Sequence, residues 1–227
     1  MSPGWRDAVS ERLNARTAAI VEIGLVLALT VGHRVLRVIP VDETLPIFLL
    51  GWLSLRLRKV GWRGVGLARP GTWPRTIALG VGVGVSLQVL SEYVTEPLIA
   101  ALTGRVADMS EFLSLVGNWK QALLYFVLVW TWAAFGEEMT YRGYVLNRAT
   151  DLLGRTRLAW LFGLVFVTGL FGFGHSYQGL AGVLDTGIHG LIFGAVYLGS
   201  GRNLWASIIA HGVCDTVGIA MIFLGWF

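Results

Sequence analysis

The apolar run Leu123-Leu124-Tyr125-Phe126-Val127-Leu128-Val129-Trp130 is suited to hydrocarbon, and it leads into Phe135-Gly136-Glu137-Glu138-Met139-Thr140-Tyr141-Arg142. Two adjacent carboxylates and a guanidinium are therefore expected at membrane depth. Charged groups there are costly, face a protein interior or a wet cavity, and mark functional sites by default. The rest of the chain is read as what surrounds and completes this cluster.

The surroundings are apolar enough for the task. Only 14% of the 227 residues are charged and 55% are hydrophobic, against about 25% charged in a soluble domain. The apolar runs are long and do not alternate, which favours helices over a β-barrel. The expected fold is all-α, a polytopic transmembrane helix bundle of about seven to eight spans in one integral-membrane domain, residues 1–227. Its motif-bearing core is 118–226. The net charge of +4 comes mainly from arginines near span ends. That is a topology signal, and no nucleic-acid partner is inferred. The single cysteine, Cys214, rules out an internal disulfide.

Residues 1–16 lack the apolar core of a signal peptide. Trp5, Val9 and Leu13 recur every four residues, which predicts an amphipathic helix at the membrane interface. Expected spans follow at 17–38, 45–57, 76–102, 118–148, 157–174, 180–198 and 203–226, with a short surface helix over 109–116. Asp108 and Glu111 stand at capping-box spacing for that surface helix. The loop from Arg56 to Arg75 holds six basic residues and no acid, which places it in the cytoplasm. Arg148, Arg155 and Arg157 suggest a second cytoplasmic loop. A cell-membrane protein with a cytoplasmic N-terminus is expected.

Gly80, Gly82, Gly84 and Ser86 are not a phosphate loop, because no Lys-Ser/Thr follows. They suit close packing of membrane helices. Glu92 and Glu96 lie one turn apart and are expected at the interface, as weak site candidates. His33 and His189 are read as packing residues.

Three late spans carry polar groups at helical spacing. Glu138 and Arg142 are four apart and share a face, while Glu137 points elsewhere. Phe171 and His175 are four apart, as are His211 and Asp215. Counted from the flanking turns, Glu137 lies roughly 18 Å deep, His211 and Asp215 roughly 12–18 Å, and His175 roughly 28 Å. His175 is the outlier, and the glycine-rich end of its span can let it fold inward. The set permits two chemistries. Glu137 can act as general base on a water, with a histidine serving the oxyanion or the leaving amine and Asp215 fixing the tautomer of His211. Alternatively Glu137, His175, His211 and Asp215 can supply ligands to zinc. No His-Glu-x-x-His helix or Gly-x-Ser-x-Gly elbow is present.

Glu137-Glu138-x-x-x-Arg142, Phe171-x-x-x-His175 and His211-x-x-x-Asp215 resemble, in order and spacing, the three motifs of the CPBP family. These are the CAAX-processing and bacteriocin-processing (Abi) intramembrane proteases, which include type II CAAX prenyl endopeptidases. The resemblance implies an all-α fold with a cavity open to membrane and cytoplasm. It implies endopeptidase activity on a membrane-associated peptide or protein, prenylated in the eukaryotic members. It also implies that Glu137 activates water, that His175 and His211 complete the site, and that Glu138 with Arg142 supports it. Many members have Asn where this chain has Asp215, and the added charge favours a metal. Some bacterial members are scaffolds or immunity proteins, a non-catalytic alternative. An ion transporter is a third, without support from an inverted repeat.

Overall fold

A computed structural model describes the backbone of residues 5–226 and the side chains of residues 15–226. Those residues form helices and turns without a β-strand. The helices are α1 (Trp5–Arg34), α2 (Thr44–Leu57), α3 (Trp73–Leu90), α4 (Glu96–Thr103), α5 (Trp119–Leu128), α6 (Leu146–Leu152), α7 (Arg157–Gly174), α8 (Gly179–Gly199) and α9 (Leu204–Leu224). Among the described residues, five stretches are long and apolar enough to cross a membrane: Ala15–Arg34, Trp73–Thr103, Arg157–Gly174, Ser176–Gly199 and Leu204–Leu224. The protein is an all-α polytopic integral membrane protein.

Two expected spans are of another kind. Helix α2 has 14 residues and reaches about 21 Å, short of a hydrocarbon core of about 30 Å. The expected span 118–148 is one helical stretch from α5 to α6, whose middle, Val129–Val145, winds in π-helical turns. Such turns are rare, and usually occur singly at functional sites. They displace backbone groups from the α-helical ladder, and side chains cover some of them. Thr140 donates to the Gly136 carbonyl at 2.7 Å, and Asn147 Nδ2 donates to the carbonyls of Arg142 and Gly143 at 3.2 and 3.1 Å.

Glycine sets the contact between α3 and α9. Helix α3 packs along α9, and a Cβ on Gly84 would lie 2.5 Å from the Ala210 carbonyl oxygen and 3.0 Å from the Cys214 nitrogen. Gly80 sits against Ile209 and Ala206 in the same way, whereas Gly82 faces open space. The glycines thus serve packing, as their spacing predicts.

Other expectations change. The first span ends at Arg34 rather than at residue 38, and Arg37 takes a left-handed φ of 54°. The surface helix is a 3-10 turn, Ser110–Leu115, and Asp108 accepts the Ser110 N–H at 2.9 Å instead of forming a capping box. The side chains of residues 1–14, on which the amphipathic face depends, lie outside the described residues.

Arg148 is not part of a basic loop. It is 1% exposed, forms ion pairs with Glu22 of α1 at 2.9 Å and with Asp151 at 2.5 Å, and lies inside the bundle. Glu22 also accepts from Ser54 of α2 at 2.7 Å and Tyr144 at 2.8 Å. One carboxylate inside the first span therefore ties α1 and α2 to the charged helix. An arginine two turns beyond the cluster was read as a span-end charge because its partner is 126 residues away.

Candidate active site

The π-helical segment separates the paired carboxylates. Glu138 is fully buried and turns toward α9, where its Oε1 accepts from Arg142 at 2.7 Å and from His211 Nδ1 at 3.0 Å. Its Oε2 accepts from the Ser207 hydroxyl. Glu137 turns away from this network into a cavity of about 460 Å³. Its Oε2 is buried and has no hydrogen-bond partner.

All four predicted catalytic residues line that cavity: Glu137, His175, His211 and Asp215. They come from three separate stretches of chain, so the folded bundle brings the motifs to one place. His175 is no longer an outlier. Helix α7 ends at Gly174, His175 caps it, and a 3-10 turn over Ser176–Gln178 carries the chain away.

Partners set the proton positions on the histidines. His175 Nδ1 lies 2.9 Å from the Phe171 carbonyl. A carbonyl only accepts, so Nδ1 carries the hydrogen and Nε2 keeps its lone pair. His211 donates Nδ1–H to Glu138, and its Nε2 lies 3.4 Å from Asp215. Asp215 was expected to fix the tautomer of His211. The structure adds Glu138, which holds the opposite side of the same ring.

Arg142 completes the frame beneath the cavity. Its second terminal nitrogen donates to the Gly190 carbonyl of α8 at 2.8 Å. Its guanidinium lies over the Phe171 ring at 4.5 Å from the centroid, a cation–π contact worth about 2 kcal/mol when desolvated. Phe171 also meets the rings of Tyr141, His175 and His211 at 5.3, 5.1 and 5.9 Å. It is the packing element between the ion pair and both histidines.

The proposed zinc set does not gather as ligands. No three donor atoms from Glu137, His175, His211 and Asp215 lie within 4.8 Å of one another. Both His211 nitrogens already face carboxylates. The arrangement does not fit a zinc ion.

Glu92 and Glu96, the weak site candidates, line the same cavity, as do Asp185 and His189, which sequence reasoning did not assign to the site. His189 was read as packing, yet its Nδ1 lies 2.9 Å from the Asp185 carbonyl and 3.3 Å from the Asp185 carboxylate. Asp185 is in turn held by Ser91 at 2.7 Å and Thr95 at 3.1 Å. The signal was present, because Asp185 and His189 share the four-residue spacing of the other motifs. Phe193 stacks on His211 at 4.5 Å with an 18° tilt, and Ser207 was hidden in an apolar run.

Residues 119–217 match the family model described as Type II CAAX prenyl endopeptidase Rce1-like. The matched segment holds all three motifs, and it supports a protease. No curated protein and no solved structure matches the chain.

Proposed function

We propose that the protein is an intramembrane endopeptidase with Glu137 as general base, a reading supported by the match of residues 119–217 to the type II CAAX prenyl endopeptidase Rce1-like family model. The observation that carries this reading is the unpartnered, buried Glu137 Oε2 in the cavity that also holds His175 and His211. A buried carboxylate oxygen without a donor is expensive unless function retains it.

Glu137 takes a proton from water as the oxygen attacks the scissile carbonyl carbon. The carbonyl π electrons move onto oxygen, and His211, held between Glu138 and Asp215 with a hydrogen on each ring nitrogen, offers its Nε2–H to the oxyanion. His175 Nε2 accepts a hydrogen bond from the water and aligns it. The tetrahedral intermediate collapses, the C–N bond breaks, and Glu137 returns its proton to the leaving amine. Glutamate is regenerated, and one water has been added across the peptide bond.

The substrate is a membrane-associated peptide or protein cut near its C-terminus. The apolar wall from Leu128, Val129, Trp132, Ile219 and Ile222 suits a lipid chain such as a prenyl group. The protein lies in the cell membrane with its N-terminus and the loop 56–75 in the cytoplasm, following the arginine bias.

The test compares the purified protein with Glu137→Ala on a peptide library, prenylated and unprenylated. Cleavage by the wild type alone is expected. Equal cleavage by both would overturn the reading.

A further inference from the structure

The turn between α1 and α2 holds a second cluster of ionisable groups, and the catalytic reading uses none of it. One donor atom from each of His33, Asp42 and Glu43 lies within 4.8 Å of the other two. Glu43 is 0% exposed, and its Oε2 is buried with no hydrogen-bond partner. His33 Nε2 lies 3.5 Å from it.

The hydrogen on His33 is placed by its other nitrogen. Nδ1 lies 2.9 Å from the Ile39 carbonyl, which can only accept. Nδ1 therefore carries the hydrogen, and in the neutral ring Nε2 presents a lone pair to Glu43 Oε2. Two acceptors then face each other in a buried space, and either a proton or a metal ion between them would relieve the contact. The spacing suits a metal ion. Tetrahedral zinc with bonds of about 2.1 Å sets its ligands about 3.4 Å apart, against 3.5 Å observed here.

The surrounding bonds are those of a metal site. Metal-bound histidines commonly donate their remote N–H to a backbone carbonyl, as His33 does. The carboxylates are braced from behind. Arg34 holds Glu43 Oε1 and Asp42 Oδ2, each at 2.8 Å, and the Thr44 N–H holds Asp42 Oδ1 at 2.9 Å. Arg34 adds one positive charge to two carboxylates, so the cluster with neutral His33 keeps a net negative charge that a divalent ion would compensate.

We infer that His33, Asp42 and Glu43 form a zinc-class divalent cation site, separate from the catalytic cavity. Water completes the coordination. The ion joins the end of α1 to the start of α2. It lies behind the end of α7, since a Cβ on Gly174 would be 3.2 Å from Glu43 Oε1.

The test strips the purified full-length protein with chelator and titrates it with Zn²⁺ alone. It uses wild type, His33→Gln and Glu137→Gln, with calorimetric stoichiometry and X-ray absorption as readouts. One equivalent with an imidazole nitrogen in its shell is expected for wild type and Glu137→Gln. Binding by His33→Gln is expected to weaken at least about 10-fold, the lower end for losing even a supporting partner. Zinc is expected to raise the unfolding temperature of wild type but not of His33→Gln, whose zinc-free unfolding temperature reports whether it is folded. Three results would overturn the assignment: no binding by wild type, equal binding by His33→Gln, or loss of binding only in Glu137→Gln. The last would move the ion to the catalytic residues. A proton shared by His33 and Glu43 in place of the ion would give the first result.

Discussion

Glu138 Oε1 lies 2.7 Å from an Arg142 nitrogen and 3.0 Å from His211 Nδ1, so one buried carboxylate oxygen joins an ion pair within its own helix to a histidine on α9. The contact links the support of the site to its chemistry. Loss of Glu138 would free Arg142 and release the ring of His211 together.

Breaking this pair from one side should be more harmful than removing both charges. Arg142→Met leaves Glu138 buried with its main counter-charge gone, and about 3–5 kcal/mol of stability should be lost. The double variant Glu138→Gln/Arg142→Met should be more stable than Arg142→Met alone. Denaturant unfolding in detergent of the two single variants and the double variant measures the coupling.

Glu137 has the opposite profile. Its Oε2 has no protein partner, so Glu137→Gln breaks no hydrogen bond at that atom. Peptide cleavage should fall by about 10²–10⁴-fold, the usual worth of a general base. The unfolding temperature should hold or rise. A fall in both would mean that Glu137 is structural.

The α3–α9 seam gives a steric test. A methyl at Gly84 meets backbone atoms at 2.5 and 3.0 Å, and backbone cannot swing aside. Gly84→Ala should cost about 1–3 kcal/mol by overpacking. Gly82→Ala on the same helix meets nothing within 4 Å and should be neutral or stabilising. Similar thermal shifts for the two would refute close packing at this seam.

Arg148 separates a buried charge from a loop charge. Arg148→Met leaves Glu22 and Asp151 without their shared cation, and about 3–5 kcal/mol should be lost. Arg157→Gln, at an exposed position, should stay within about 0.5 kcal/mol. Thermal unfolding of both in one detergent decides the point.

The i, i+4 pairs were legible because helical spacing fixes which residues share a face. That is why Glu138–Arg142 and His211–Asp215 appear as contacts at 2.7 and 3.4 Å. The same rule should have exposed Asp185–His189, but both lie in a span without a recognised motif. The Glu22–Arg148 pair had no local signal, since its members are separated by most of the chain.

From sequence alone, the protein had to be a helical membrane bundle that encloses a charged cluster, because apolar runs of this length leave helices as the way to satisfy the backbone in lipid. Helical spacing also paired Glu138 with Arg142, Phe171 with His175, and His211 with Asp215, while the catalytic role of Glu137 was implied by the family resemblance. Spacing records an angle around one helix axis and carries no information about what packs against that face. Tertiary structure alone therefore decided that the π-helical turn sends Glu137 to the cavity and Glu138 to His211. It also decided that Arg148 is buried and that His33 meets Glu43 at 3.5 Å.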